Sequence, residues 1–255
     1  MDLLKVKNIS ISFGGLQAVS NFSINLGYRD LVGLIGPNGA GKTTVFNMLT
    51  GVYRPQEGEI SLEGQPLVNL PPYKFNRLGI ARTFQNIRLF NELSVLDNVK
   101  IAYQHRGRYS WGQAILRTKA YWRKEREIRD WSMELLTIFN LQDKAEEMAK
   151  NLPYGAQRRL EIARALAGKP KLLLLDEPAA GMNPQETLDL MNLIKKIRAE
   201  FGLAILLIEH DMNFVMNLCE RILVLDYGQT IAEGVPEEIK NNKRVIQAYL
   251  GEEVS

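Results

Sequence analysis

The pattern of apolar and polar positions changes character along the chain. At the start, LLKVKNISISF and FSINL place apolar residues at alternate positions, the spacing of half-buried strands. LVGLIG is apolar throughout and runs into a glycine-rich turn and the helical stretch KTTVFNMLTG, a strand, loop and helix in sequence. EGEISLEG reads as another strand, and LPPYKFNRLGIARTF leaves the β pattern at its paired prolines. From Asn98 to about Lys150 helical periodicity dominates, which predicts a helical insertion. Helix and buried strand then alternate: RRLEIARALAG, KLLLLDE, ETLDLMNLIKKIRAE and LAILLIEHD, closed by a strand pair in RILVLDYGQTIAEG. Apolar strands that do not alternate, separated by helices, predict an α/β fold with a parallel sheet covered on both faces.

Composition narrows this picture only a little. A chain of 255 residues holds one large α/β domain with room for an inserted subdomain, and its 45% hydrophobic and 24% charged residues are ordinary globular usage. The net charge of +3 is small for this length and argues against a nucleic-acid partner. The lone cysteine, Cys219, forms no internal disulfide, and with only two histidines a structural zinc site is not expected; a reducing cytosol fits best. The start, MDLLKVKNIS, lacks a secretion-signal pattern, and no run approaches the roughly 18 apolar residues of a membrane span. If the protein works at a membrane, another chain is expected to hold it there.

Gly36-Pro37-Asn38-Gly39-Ala40-Gly41-Lys42-Thr43 carries the phosphate-loop pattern. Its glycines let successive N–H groups surround phosphate oxygens, Lys42 would reach the β- and γ-phosphates, and Thr43 would ligate magnesium. Asp176-Glu177 ends the apolar run LLLL and supplies what that loop lacks: a carboxylate for the metal and one beside the attacking water. His210, at the end of AILLIEH, reads by itself as a surface or capping residue. Gln85, in RTFQN, reads alone as an amide satisfying backbone groups, and Phe13 as a strand-end core aromatic.

Together these stretches resemble the ATP-binding cassette family. Phe13 matches its adenine-stacking aromatic, Gly36 to Thr43 its Walker A motif, Gln85 its Q-loop, Asp176-Glu177 its Walker B motif and His210 its switch histidine. The resemblance implies a P-loop NTPase (RecA-like) core with an N-terminal antiparallel β subdomain, residues 1–84 and 156–255, and an inserted α-helical subdomain, residues 85–155, within one ATPase domain. It implies ATP and Mg2+ as ligands, with Walker A residues through Thr44 on the nucleotide and Thr43, Gln85 and Asp176 on the metal. Glu177, His210 and Gln85 take the catalytic roles, and two cassettes sandwich two ATP molecules head to tail. ARTFQNIRLFNELSVLDNV, YGAQRRLEIARAL, LLLLDEPAAGMNP, LLIEHDMNFVM and VIQAYLGE are similar, more finely, to the larger ATPase subunit of branched-chain amino acid importers. That likeness implies a second ATPase subunit, two transmembrane permeases, an extracytoplasmic substrate-binding protein and a peripheral place on the cytoplasmic face of the membrane. A soluble cassette protein of translation or DNA repair, and the ATPase of a lipid or lipopolysaccharide exporter, stand as alternatives.

Two positions depart from the family pattern. The signature Leu-Ser-Gly-Gly-Gln becomes Leu152-Pro153-Tyr154-Gly155-Ala156, followed by Gln157, and the D-loop aspartate becomes Asn183. Pro153 cannot supply the hydroxyl that the family's serine gives to the opposite nucleotide. The expectation is that the signature acts through Gly155, the neighbouring backbone and the start of the next helix, with Pro153 tolerated in its first turn. The basic stretch Arg117 to Arg129 reads as a solvated helix face or a docking surface for the permease or lipid head groups. Trp111, Trp122 and Trp131 read as packing within the insertion.

Overall fold

The computed structural model describes residues 2–103 and 118–250. The alternating N-terminal segments form β1 (Asp2–Phe13) and β2 (Leu16–Gly27), which pair antiparallel. With β4 (Glu57–Leu62) and β5 (Gln65–Pro66) they make a sheet of order β2-β1-β4-β5. The continuous apolar runs become β3 (Leu31–Ile35), β7 (Leu172–Asp176) and β8 (Ala204–Ile208), buried at every position. They lie in a second sheet of order β10-β9-β3-β8-β7-β6, parallel except for the edge strand β10 (Gln229–Gly234), which forms a hairpin with β9 (Arg221–Asp226).

Although the central strands do not alternate in polarity, they alternate in destination, because successive side chains leave opposite faces of a strand. Leu173, Leu175, Ile205 and Leu207 join a core shared with helices. Leu172, Leu174, Leu206 and Ile208 join a core shared with the antiparallel sheet and with α1 (Lys42–Leu49), which contributes Val45, Phe46, Met48 and Leu49. Both faces are apolar because both are covered.

The paired prolines end the β pattern but do not end regular structure. Pro71 caps α2 (Pro72–Leu78) and Pro72 takes its first position, where the missing N–H has no partner to lose. Ile80–Arg82 then forms β6, the edge strand pairing with β7, which the sequence reading did not include. The helical stretch holds α3 (Val95–Tyr103) and α4 (Lys119–Ile138), and α3 packs against both α4 and α5 (Tyr154–Ala167). The expected border after residue 155 falls inside α5. The rest of the chain adds α6 (Pro184–Phe201), α7 (Met212–Leu218), α8 (Pro236–Lys240) and α9 (Lys243–Leu250).

Trp131 does not pack only within the insertion. Its indole N–H donates to Ala167 O of α5 at 3.2 Å, and its ring meets Phe201 of α6 edge-on at 5.9 Å. Trp122 is exposed, contrary to the packing expected of it, and Trp111 and Arg117 lie outside the described residues. Arg123, Arg126 and Arg129 are exposed on α4, as a solvated face requires. No helix among the described residues is long and apolar enough to cross a membrane.

Candidate functional site

A cleft of about 550 Å3 opens beyond the C-terminal ends of β3, β7 and β8, the edge of a parallel sheet where α/β proteins place ligands. Asn38, Gly39, Ala40, Gly41, Lys42, Thr43 and Thr44 line it on one side, and Gln85, Glu177 and His210 on the other. Four separate loops thus bring together residues far apart in the chain, from Asn38 to His210.

The loop between β3 and α1 is shaped by glycines that no other residue replaces without strain. Gly36 has φ 150°, and a Cβ there would stand 1.9 Å from Leu225 O. Gly41 caps α1 in the left-handed region, φ 101°, where a Cβ would meet Ala18 O at 2.5 Å. The first N–H groups of α1 have no partner in the preceding turn and open toward the cleft, which makes this end a place for anions. Lys42 is 6% exposed, and its ammonium donates to Gly36 O at 2.7 Å and Pro37 O at 2.8 Å. Burial pushes its pKa down, and the charges of Glu177 and Asp176 pull it back up. A buried ammonium satisfied by only two carbonyls is suited to exchanging them for phosphate oxygens.

Asp176 is the last residue of β7 and is held by Arg82, whose Nη2 donates to Oδ2 at 2.8 Å. Glu177 follows in the left-handed region, φ 47°, a conformation that costs a non-glycine residue about 1–3 kcal/mol and must be held by its surroundings. Its N–H donates to Ile208 O at 2.9 Å, tying it to β8. Gln85 Nε2 donates to Glu177 Oε2 at 2.7 Å, and His210 Nε2 meets Oε1 on the other side. Glu209, 4% exposed, accepts from Ala179 N at 2.7 Å and His210 N at 3.1 Å, bridging the loops after β7 and β8. Burial raises its carboxyl pKa, and these N–H groups oppose the shift. Nothing in the sequence marked Arg82 or Glu209, since each is a charged residue at a strand end until the loops are brought together.

Phe13 stands apart from this group. Its ring packs edge-on against Tyr53 at 5.1 Å, and it is absent from the cleft lining, where Leu16, Gln17, Ala18 and the exposed Tyr227 lie. Pro153, Tyr154, Gly155, Ala156 and Gln157 also lie outside the lining. Pro153 is the N-cap of α5 rather than a residue of its first turn, and its carbonyl accepts from Ala156 N at 3.0 Å and Gln157 N at 2.9 Å. Proline costs nothing there, because an N-cap N–H takes no part in the helical ladder. Gly155 borders a separate groove of about 400 Å3 between α5 and α6. Asn183 is the N-cap of α6 in a reciprocal capping box with Glu186.

The sequence profile of the ABC transporter family matches residues 19–180, which span the phosphate loop, Gln85, the α5 start and Asp176-Glu177. The chain belongs to the ABC transporter family. A second profile, described as branched-chain amino acid ATP-binding cassette transporter, matches residues 229–255. Among curated relatives, the high-affinity branched-chain amino acid transport ATP-binding protein BraF of Pseudomonas aeruginosa is 46% identical over 98% of both chains. The corresponding protein LivG of Salmonella typhimurium is 48% identical over 98% of both. The lipopolysaccharide export ATP-binding protein LptB of Haemophilus influenzae is 34% identical over 99% of both. Among solved structures, the ADP conformation of an ABC transporter cassette superposes with a TM-score of 0.86 at 31% identity, covering 99% of this chain and 100% of the other. This ABC chain thus has the P-loop fold of a nucleotide-binding cassette, and the family assigns it ATP hydrolysis coupled to transport.

Proposed function

We propose that this chain is the ATP-hydrolysing subunit of an importer of branched-chain amino acids. The observation that carries the reading is identity of 46–48% to such subunits across 98% of both chains, where the lipopolysaccharide export relative reaches 34%. The profile match at residues 229–255 supports the same substrate class. The permeases, a second ATPase subunit, a substrate-binding protein and a peripheral place on the inner membrane face belong to this proposal. So does the division into a core of residues 1–84 and 156–255 and a helical unit of residues 85–155.

The cleft fits Mg-ATP by its chemistry: glycine backbone and a buried ammonium for phosphates, a hydroxyl, an amide and a carboxylate for the metal. Among the described residues no cluster of three or more His, Cys, Asp or Glu is arranged to hold an ion. Magnesium does not require one, since it is commonly held by one or two carboxylates together with substrate phosphates and waters. Bound Mg2+ would neutralise charge on the phosphates and hold the phosphoryl group for in-line attack.

In our reading Lys42 exchanges its two carbonyl partners for phosphate oxygens, and Thr43, Gln85 and Asp176 hold the metal. Glu177 takes a proton from the attacking water, and it first needs a free oxygen. Both are engaged here, one by Gln85 and one by His210. Drawing either side chain toward the nucleotide therefore frees the base, which links hydrolysis to a filled cleft. Catalysis is positional and electrostatic. Pro153 to Gln157, outside this chain's own cleft, act on the nucleotide of a second cassette. The test is Glu177→Gln in the assembled transporter, which should bind ATP with wild-type affinity and lose about 100-fold or more in kcat. Wild-type turnover would refute the role of Glu177.

A further inference from the structure

Arg158 is 0% exposed and Glu161, one turn later on α5, is 1% exposed. The two form an ion pair at 3.0 Å. A buried pair is weak support for stability, because desolvating two charges offsets much of their attraction. Here a further cost is visible, since Arg158 Nε is buried without a partner. What the pair does hold is a loop. Arg158 Nη1 donates to Phe84 O at 2.6 Å and Nη2 to Gln85 O at 2.7 Å, with a longer bond to Glu177 O at 3.4 Å. Glu161 Oε1 accepts from Phe84 N at 3.4 Å and Arg88 N at 3.2 Å. Phe84 is thereby gripped by its N–H and its C=O, in a stretch after β6 that has no helix or strand of its own. Its neighbour Gln85 reaches Glu177.

We propose that the buried Arg158–Glu161 pair is a positioning clamp: it fixes the backbone of Gln85 relative to Glu177 and ties both to the start of α5. The proposal rests on the ATPase reading above. Only a guanidinium has the planar fork to reach carbonyls of two loops and a carboxylate together. Because Arg158 lies one turn from Tyr154, movement of the α5 start pulls on the carbonyls of Phe84, Gln85 and Glu177 at once. The side chain of Gln85 stays free to leave Glu177 while its backbone is held. Occupancy at the face of Pro153 to Gln157 is in this way communicated to the hydrolytic carboxylate of the same chain.

The test uses the assembled transporter. Arg158→Met with Glu161→Leu replaces the pair by apolar side chains of similar length and is expected to keep the fold. We expect a folded protein with a lowered melting temperature, because the Phe84 and Gln85 backbone groups lose their partners. ATP affinity should stay near wild type and KM within about threefold, with kcat lowered about 30-fold, the scale of a small misplacement of reacting groups. Gln85→Ala, made alone and in that double variant, closes a cycle: because the clamp acts by placing Gln85, the loss on adding Gln85→Ala to the double variant should be several-fold smaller than the loss it causes in the wild type. A wild-type kcat in the folded double variant, or a full additive loss on adding Gln85→Ala, overturns the clamp. Glu161→Gln guards against a misfolded double variant. It keeps an oxygen for one N–H and should lower kcat about fivefold with KM unchanged; unchanged kcat overturns the proposal. Glu177→Gln run alongside separates the two readings: full activity there refutes the assignment of the base, whereas an inactive Glu177→Gln beside a wild-type kcat in the clamp variants overturns the clamp alone.

Discussion

Replacing Arg82 with Met isolates the energetics of the metal-side carboxylate. Arg82 and Asp176 have side chains 7% and 6% exposed and meet at 2.8 Å, so the substitution leaves a carboxylate unpaired out of water. Breaking a buried pair from one side costs about 3–5 kcal/mol. Three corrections follow from the surroundings, the first being the lost bond from Arg82 Nη1 to Asn47 Oδ1 at 2.7 Å, about 0.5–1.5 kcal/mol. The guanidinium lies over the rings of Phe46 and Phe84, at 5.5 and 5.1 Å, and losing these contacts adds about 0.5–1 kcal/mol each. Against that, Arg82 Nε is buried without a partner, and removing it returns about 1–3 kcal/mol. The corrections nearly cancel, and the methionine stem still covers the rings, so the expected loss stays at about 3–5 kcal/mol. Urea unfolding at neutral pH without nucleotide measures it, with the m-value as a control on the unfolded state. Adding Asp176→Asn removes the stranded charge and should recover at least 1 kcal/mol of the loss, roughly the penalty of an unsatisfied charged group. A loss below about 1 kcal/mol in Arg82→Met would show that Asp176 is solvated or paired elsewhere, and would refute the reasoning.

Substitutions at three further positions probe other parts of the fold. Gly58 has φ 84°, and a Cβ there would stand 2.3 Å from Lys7 O, so Gly58→Ala should lower stability by about 2–3 kcal/mol with ATPase activity per folded molecule unchanged; a thermal melt shows it. Asn183→Ala breaks the capping box of α6, whose bonds to Glu186 are 2.9 and 3.0 Å, and should cost about 0.5–2 kcal/mol, whereas Asn183→Asp should keep the melting temperature. Glu209→Gln tests a pH effect. Burial raises the folded pKa of Glu209, so the native state binds its proton more readily than the unfolded chain, and its contribution to stability grows as pH falls. The stability of wild type relative to Glu209→Gln should therefore increase as pH drops from neutral toward the ordinary carboxylate range near pH 4–5; a constant difference across denaturation curves would refute the shift.

The cleft was legible where its chemistry is carried by contiguous residues. The phosphate loop and Asp176-Glu177 are each a strand followed by its own tip, so one stretch of sequence states both the element and the group it presents. β3, β7 and β8 were legible for a related reason: a sheet covered on both faces must be apolar at every position. β6 was not, because three residues after a proline pair carry no period, and only pairing with β7 makes them a strand. Phe13 is legible only through the family likeness, since a strand-end aromatic packed edge-on against Tyr53 carries no mark of a nucleotide by itself.

Arg158 shows why the remainder was hidden. In YGAQRRLEIARAL three arginines look alike, and nothing in their identity tells a buried one from a solvated one. Two of them, Arg158 and Arg164, differ only in what other segments bring to them. The carbonyls of Phe84, Gln85 and Glu177 converge on Arg158 at full burial, while Arg164 sits with Phe90 at 5.5 Å. A buried guanidinium needs acceptors supplied from elsewhere in the chain, and acceptors on a backbone leave no mark in residue identity, because every residue has a carbonyl. Side-chain chemistry can therefore be read along the sequence, but the backbone groups that position it become visible only once the loops have met.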